Sequence, residues 1–137
     1  MTIPFLACMA GVAAFYHLPP RVLPSIQAVE AGRPGVVHVN RDGSRDLGVM
    51  QVNTRWVHPL AIQTAMPPLV VQQRLLFDPC FSIAAAGAIM RLYLNEAGGD
   101  LLRAVGYYHS HQPVLAETYR LQVVASANRL FGTTAPR

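Results

Sequence analysis

The chain has 137 residues, of which 52% are hydrophobic and 13% charged; it contains 11 Arg and no Lys and has a formal net charge of +4. This length predicts a single domain over residues 1–137, with a core at about 8–131, and the composition excludes an intrinsically disordered chain. The arginines are scattered along the sequence and form no basic helix face, so we expect no nucleic-acid partner.

The longest apolar run, residues 3–16, predicts a buried first helix. It is shorter than the roughly 20 residues that a membrane-spanning helix needs, so we expect no membrane span. No basic side chain precedes it, unlike the start of a secretory signal. Two interpretations stay open: a poorly formed signal, or the first helix of a domain whose signal lies outside this numbering.

A second helix follows from the helical spacing of Leu23, Ile26 and Val29, with Gly32 as its expected C-terminal stop. Pro20 suits a first helical position. Pro24 removes one early hydrogen bond, which predicts that the regular helix begins after Pro20.

Strand signals occur only between the second and third helices. Residues 35–40 and 45–49 predict two short strands, and Asp42-Gly43 predicts the hairpin turn between them. Five further helices follow. They are expected from Thr54 through Leu60, from Pro67-Pro68 through Leu75, from Asp78-Pro79 to Gly98-Gly99, from Asp100 to Tyr107, and from Pro113 to Gly132. The sequence therefore predicts a mainly α (α+β) fold, a helical domain with one small β-hairpin.

Glu30 is the first candidate for a catalytic residue. It is expected at the C-terminal end of an apolar helix, where the partial negative charge of the helix end disfavours a carboxylate. Apolar neighbours such as Val29 add a desolvation cost of the same sign. Both effects raise the pKa of Glu30 toward the value that a general acid needs near neutral pH. The alternative is a Glu side chain that points into solvent.

Two further segments carry groups that can bind a sugar. Residues 46–53 include Gly48, which lets a ligand approach the backbone, and Gln51 and Asn53, whose amides both donate and accept hydrogen bonds. A capped turn that leads into a helix explains this segment equally well. Residues 106–111 contain two adjacent tyrosines and a His-Ser-His run, which can stack on a sugar ring and hydrogen-bond to it.

Metal ligands are also conceivable in two places. His109 and His111 lie two residues apart, but no acidic residue accompanies them, so we predict no metal and no cofactor. Oxygen-bearing side chains alternate from Asn40 to Asp46, yet Gly43 is misplaced for a calcium loop and no Glu closes it. A hairpin turn explains that segment better.

The two cysteines, Cys8 and Cys80, allow two interpretations. They are either unrelated buried thiols or the partners of a disulfide, which would imply an oxidising compartment.

Taken in order, these segments resemble the lytic transglycosylases with a soluble-transglycosylase (SLT), lysozyme-like domain, and most closely the small members that accompany type III and type IV secretion systems, conjugation machinery and pili. The motifs that carry the resemblance are Tyr16–Pro20, Ile26–Gly32, Asn40–Asn53, Asp78–Cys80 and Gly106–Ser110. They lie between about Cys8 and Leu130, nearly the whole chain.

The resemblance implies a lysozyme-like fold in which Glu30 is the single catalytic acid. Gly48, Met50 and Gln51 match the family's Gly-x-Met-Gln segment, which lines the substrate groove, and Tyr108 matches the tyrosine of its Ala-Tyr-Asn motif. These four residues are therefore expected to bind substrate.

The resemblance also implies a disulfide between Cys8 and Cys80. This sequence departs from the family pattern at two positions. Ala31 follows the acid where the family usually has Ser, and His109 replaces the usual Asn. We expect His109, together with Asn53, to contact substrate.

The implied reaction is non-hydrolytic cleavage of the β-1,4 bond between N-acetylmuramic acid and N-acetylglucosamine, with a 1,6-anhydro product. The expected partners are peptidoglycan glycan strands and, beyond them, proteins of a secretion or conjugation apparatus. We expect a periplasmic monomer that opens the cell wall locally for such a machine.

Two alternatives stay open. The first is a hydrolase similar to goose-type muramidases, with Asp42 or Asp46 as a second carboxylate. The second is a non-catalytic peptidoglycan-binding module of an assembly apparatus.

Overall fold

The computed structural model describes residues 2–132 and confirms the mainly α, lysozyme-like architecture. The described elements are α1 (Leu6–Phe15), α2 (Val22–Glu30), β1 (Val37–Val39), β2 (Arg45–Leu47), β3 (Val52–Asn53), a 3-10 turn (Thr54–Trp56), α3 (Val57–Thr64), α4 (Pro68–Phe77), α5 (Pro79–Glu96), α6 (Leu101–His109) and α7 (Pro113–Phe131). Within residues 2–132 no single helix has both the length and the apolarity that a membrane crossing requires; α4 and α5 meet those criteria only as a pair, with a 106° bend between them.

The later helices begin where local sequence signals place them. Asp78, Asp100 and Gln112 each accept a hydrogen bond from a backbone N–H in the first turn of α5, α6 and α7. The third predicted helix begins at Thr54 as a 3-10 turn, and the side chain of Asn53 caps this turn by accepting from the N–H of Arg55.

The regular part of α2 begins at Val22, after Pro20 as predicted. Pro24 is the third residue of this helix. Its missing N–H costs nothing there, because the first four N–H groups of a helix have no partner within the helix.

The sequence predicts that the first helix is buried on all sides, and this prediction is wrong. Only Met9 and Ala13 of α1 are buried, whereas Leu6 is 55% and Phe15 75% exposed. An apolar composition predicted burial on every side, but α1 lies at the edge of the fold and packs one face on α5. Gly87 of α5 permits this close packing, because a side chain there would collide with α1.

The hairpin is present with shorter strands and one additional strand. Strands β1 and β2 are antiparallel, with Val37 opposite Leu47, and Gly43 takes a left-handed φ of 86° in the turn. Strand β2 ends at Leu47 because the chain turns back at once: Gly48 has a φ of 70° and its carbonyl accepts from the N–H of Gln51 at 3.2 Å. The unpredicted β3 then pairs with β2.

The core is one continuous cluster built around α5. Its fully buried side chains include Met9 of α1 and, from α2, the hairpin, α4 and α5, Leu23, Ile26, Leu47, Val71, Leu75, Ile83 and Met90. This packing fixes the C-terminal end of α2 against the hairpin.

A disulfide joins Cys8 of α1 to Cys80 of α5, with 5.5 Å between the two Cα atoms, which agrees with the pairing that the resemblance implied. The alternative of two unrelated thiols is therefore wrong. The bond closes a loop with a sequence separation of 72. For a loop of this length, chain entropy gives a stabilisation of roughly 4 kcal/mol at most.

We predict that the denatured, unreduced protein has no titratable thiol and that reduction exposes two. Reduction should also lower the free energy of unfolding by up to roughly 4 kcal/mol, measured by urea unfolding with and without reductant. Two reactive thiols in protein folded under oxidising conditions would contradict the disulfide.

Candidate active site

Glu30 is the last residue of α2, and close backbone packing fixes its position. The helix stops at Ala31, which takes the left-handed conformation with a φ of 55°, and not at Gly32 as expected. Gly32 is needed for another reason: a Cβ atom there would collide with the carbonyl oxygens of Gly48 and Val49. The end of α2 therefore lies directly against the exit of the hairpin.

A polar pocket of about 210 Å³ opens beside this helix end. Its lining residues include Glu30, Asn40, Asp42, Ser44, Asp46, Gln51, Asn53, Arg55, Tyr108 and His109. Among the residues that the sequence singled out, the structure thus brings together Glu30, Gln51, Asn53, Tyr108 and His109, along with both alternative carboxylates, Asp42 and Asp46.

The Glu30 carboxyl is half-buried, so the interpretation as a solvent-directed side chain is wrong. Burial raises its pKa from the usual 4.5 to about 7, and the negative charge of Asp46 acts in the same direction. The hydroxyl of Tyr119 opposes them, because it donates a hydrogen bond of 2.6 Å to Glu30 Oε2 and so favours the carboxylate. Near neutral pH, Glu30 can both release and accept a proton.

Tyr119 is the functional candidate that the sequence did not single out. Its ring lies nearly parallel to that of His109, with centroids 5.0 Å apart, and to that of Tyr108, with centroids 6.5 Å apart. Burial raises the pKa of Tyr119 far above neutrality, so its hydroxyl remains a donor to Glu30. In the sequence, Tyr119 fits the core-facing spacing of the last helix, and nothing local distinguishes it from a packing residue.

Gln51 and Asn53 form one wall of the pocket. Gln51 Nε2 donates to the carbonyls of Val36 and Gly48, at 3.3 and 3.0 Å. Asn53 Nδ2 donates to Ser44 Oγ at 3.0 Å and to Asp46 Oδ1 at 2.9 Å. Asn53 also caps the turn that follows it. This residue therefore both lines the pocket and forms the capped turn that the sequence allowed as an alternative.

Gly48 and Met50, which the resemblance places along the substrate groove, are not among the residues that line the pocket. Met50 is fully buried; its backbone N–H donates to Ser82 Oγ, and its carbonyl accepts from the Tyr108 hydroxyl at 2.8 Å. Gly48 faces the carbonyl of Leu75 so closely that a Cβ atom would collide. Both residues shape the wall behind the pocket.

The two histidines of the Gly106–His111 segment have separate environments. His109 stacks on Tyr119 in the pocket, while His111 Nε2 lies 2.8 Å from Glu96 Oε2 and its ring stacks on Tyr107. No cluster of three or more His, Cys, Asp or Glu side chains that could hold a metal ion occurs among residues 2–132.

Residues 7–119 match the family model of the transglycosylase SLT domain, and the chain belongs to this family. Among curated proteins, it is similar to the invasion protein IagB of Salmonella typhi, with 31% identity over 104 residues that cover 75% of this chain and 61% of that protein. IagB of Salmonella typhimurium is 29% identical over 101 residues, which cover 73% and 55%. The chain therefore spans a little over half the length of these relatives.

The raised pKa of Glu30 predicts a pH-dependent stability. Between about pH 4.5 and 7 the folded state keeps a proton on Glu30 that the unfolded state releases, so stability falls as the pH rises through this range. Because Gln does not titrate, Glu30→Gln removes this pH-dependent loss of stability. We expect the variant to gain about 1–3 kcal/mol in free energy of unfolding at pH 8 and almost nothing at pH 4.5, measured by urea unfolding.

Glu117→Gln is the matched control, because Glu117 is an exposed carboxylate paired with Arg120 on the surface of α7. Its replacement should change stability by less than about 1 kcal/mol at both pH values. An equal gain from Glu30→Gln at pH 4.5 and pH 8 would rule out the linkage.

Tyr119→Phe should raise the pKa of Glu30 further, since it removes the donor that favours the carboxylate. A ¹³C NMR titration of the Glu30 carboxyl measures this directly, without an activity assay. Tyr107→Phe, which removes a hydroxyl outside the pocket, should leave the titration unchanged. A Glu30 pKa that stays the same or falls in Tyr119→Phe would show that this hydrogen bond does not control it.

Proposed function

We propose that the protein is a peptidoglycan lytic transglycosylase in which Glu30 is the only catalytic carboxylate. The observation that carries the proposal is a half-buried Glu30 with a pKa of about 7, placed in a pocket of amide, hydroxyl and aromatic groups. Membership of the SLT family supports the same reaction class.

Glu30 serves first as the acid and then as the base. It transfers its proton to the glycosidic oxygen as the bond between N-acetylmuramic acid and N-acetylglucosamine breaks. The Tyr119 hydroxyl then stabilises the carboxylate that remains. The Glu30 carboxylate then accepts the proton of the muramyl C6 hydroxyl, and the C6 oxygen bonds to C1 and closes the 1,6-anhydro ring. Glu30 is therefore protonated again at the end of the cycle.

Substrate is held by the pocket wall opposite Glu30. Gln51, Asn53 and His109 line the pocket beside the sugar, and Tyr108 is held in place by its bond to the Met50 carbonyl. Gly48 and Met50 contribute through the backbone conformation that sets this wall. Two residues depart from the family pattern: Ala31 follows Glu30 directly, and His109 stacks on the Tyr119 ring. Because both lie beside the acid, they affect the reaction rate and the sugar preference.

A hydrolase is the second candidate, and one observation favours it. Asp46 shares the pocket with Glu30 and is near enough to raise its pKa, so it is positioned to activate a water molecule. Against this role, Asp46 already accepts a hydrogen bond from Asn53, and Asp42 accepts from the hydroxyl of Ser44.

The proposed setting is the periplasm, where the protein would act as a monomer on glycan strands and open the cell wall for a secretion, conjugation or pilus machine. The disulfide supports an oxidising compartment. The resemblance to the small family members that accompany such machines supports a role beside one of them.

Glu30→Gln should reduce peptidoglycan lysis by at least roughly 10²–10⁴-fold, since it keeps the shape of the side chain and removes the transferable proton. Asp42→Asn and Asp46→Asn should cost far less, because the substrate's own hydroxyl replaces a second carboxylate. Turbidity assays on purified sacculi measure the rates, and mass spectrometry identifies the products.

Anhydro-muropeptides are the expected products. Reducing-end products that disappear in Asp46→Asn or Asp42→Asn would instead establish the hydrolase. Equal binding of glycan by the wild type and Glu30→Gln, with no lysis by either, would leave the non-catalytic binding module as the better description.

A further inference from the structure

Two buried serines lie where α2 packs against α7. The hydroxyl of Ser126, a fully buried residue of α7, donates a hydrogen bond of 2.7 Å to the backbone carbonyl of Ser25 in α2. A serine inside a helix commonly bonds back to its own helix. Ser126 does approach the carbonyl of Val123, one turn earlier in α7, but at the longer distance of 3.0 Å. The shorter of its two contacts is therefore the one that joins the two helices.

This bond belongs to an antiparallel register between α2 and α7. From the start of α2 to its end, the contacts on α7 run in reverse order: Arg21 with the Phe131 ring, Ser25 with Ser126, and Glu30 with Tyr119. Within residues 2–132, the last two contacts are the only side-chain hydrogen bonds between these helices. Ser126 lies two helical turns from Tyr119, about 10 Å along the axis of α7.

The apolar packing beside Ser126 is incomplete. Val22 of α2 and Val123 of α7 line a cavity of about 420 Å³, and Ser25 lies in its wall. Apolar contacts have no preferred direction, so side chains around such a space allow one helix to slide along the other. A hydrogen bond does have a preferred distance and direction. The bond between Ser126 and Ser25 therefore fixes a position that the apolar contacts leave loose.

The contact between Tyr119 and Glu30 is sensitive to such a slide. Their oxygens lie 2.6 Å apart, and a hydrogen bond is lost beyond about 3.5 Å, so a displacement of roughly 1 Å along the bond breaks it. The other titratable side chains of the pocket come from the hairpin, the 3-10 turn and α6; they are Asp42, Asp46, Arg55, Tyr108 and His109. Since Tyr119 alone comes from α7, a shift of α7 along α2 acts on Glu30 through Tyr119.

We propose that Ser126 is a positioning residue for the active site: its bond to the Ser25 carbonyl sets the register of α7 on α2 and so holds the Tyr119 hydroxyl on Glu30. The consequence for catalysis rests on the proposed function, in which Tyr119 stabilises the Glu30 carboxylate. The register itself rests on the hydrogen bonds alone.

The test is a ¹³C NMR titration of the Glu30 carboxyl in Ser126→Ala. Loss of the register weakens the bond from Tyr119, which favours the carboxylate, so the pKa of Glu30 should rise. We expect at least half of the upward shift that Tyr119→Phe produces. In a lysis assay on sacculi, the dependence of the rate on pH should move upward with the titration.

Ser25→Ala is the matched control. The Ser25 hydroxyl is equally buried but donates to the carbonyl of Arg21, directly before α2, at 2.6 Å. This variant removes a serine hydroxyl from the same interface and keeps the backbone carbonyl that accepts from Ser126. The Glu30 titration should therefore stay at its wild-type position.

A double variant shows whether Ser126 acts through Tyr119. If it does, Ser126→Ala should add no further shift to the Glu30 titration in a Tyr119→Phe background, because coupled residues are not additive. A shift that persists undiminished in that background would overturn the inference. So would equal titrations of Ser126→Ala and Ser25→Ala.

Urea unfolding of each variant separates positioning from general support of the fold. If Ser126→Ala does not fold while Ser25→Ala does, the bond supports the whole domain, and the inference is overturned. The titration needs no activity, so the two proposals can fail independently. The expected shifts in a protein without lysis would keep the positioning and lose the proposed function, whereas lysis without these shifts would do the reverse.

Discussion

The candidate active site depends on close contact between backbone segments that come from three parts of the chain. Gly32 brings the end of α2 against the carbonyls of Gly48 and Val49, and Gly48 in turn lies against the carbonyl of Leu75 in α4. A side chain at either glycine would push these segments apart. Since Glu30 is two residues before Gly32, and Gln51 three residues after Gly48, this contact sets the distance between the Glu30 carboxyl and the pocket wall.

Opposing electrostatic effects meet at Glu30. Burial and the charge of Asp46 favour its protonated form, while the Tyr119 hydroxyl favours the carboxylate, and the balance falls near neutral pH. A buried carboxyl without a partner would stay protonated, and a fully solvated one would stay ionised; neither could change its state twice in one cycle. The position of Tyr119 on α7 therefore helps to set the pKa of Glu30 on α2.

Local signals allowed much of the fold to be predicted. The Asp78-Pro79 pair starts α5 and Pro113 starts α7 as expected, and Asp42-Gly43 turns the hairpin, because caps and turns depend on residues a few positions apart. Strand β3 was missed, since its two residues pair only because a tight turn returns them to β2. The burial of α1 was overestimated, since composition cannot reveal that only one face has a neighbour.

The sequence likewise indicated some residues of the candidate site and gave no sign of others. Glu30, Gln51 and Asn53 stood out because their residue types and local surroundings indicate chemistry, and they do meet in one pocket. The Tyr119 hydrogen bond joins residues 89 positions apart and left no local trace. Met50 matched a motif but faces the core, because a match to a motif specifies a backbone position and says nothing of the side chain's direction.

The disulfide also gives the chain the topology of a closed ring with a tail. Glu30 and the whole hairpin lie inside the ring between Cys8 and Cys80, whereas Tyr108, His109 and Tyr119 lie on the tail beyond it. Tension applied between the two ends of the chain would pass through the sulfur–sulfur bond and bypass the ring. Pulling would therefore strip the tail helices and their aromatic rings away from Glu30 before it stretched any residue between the two cysteines. Glu30 and its hydroxyl donor Tyr119 are thus separable by mechanical force applied to the ends of the chain.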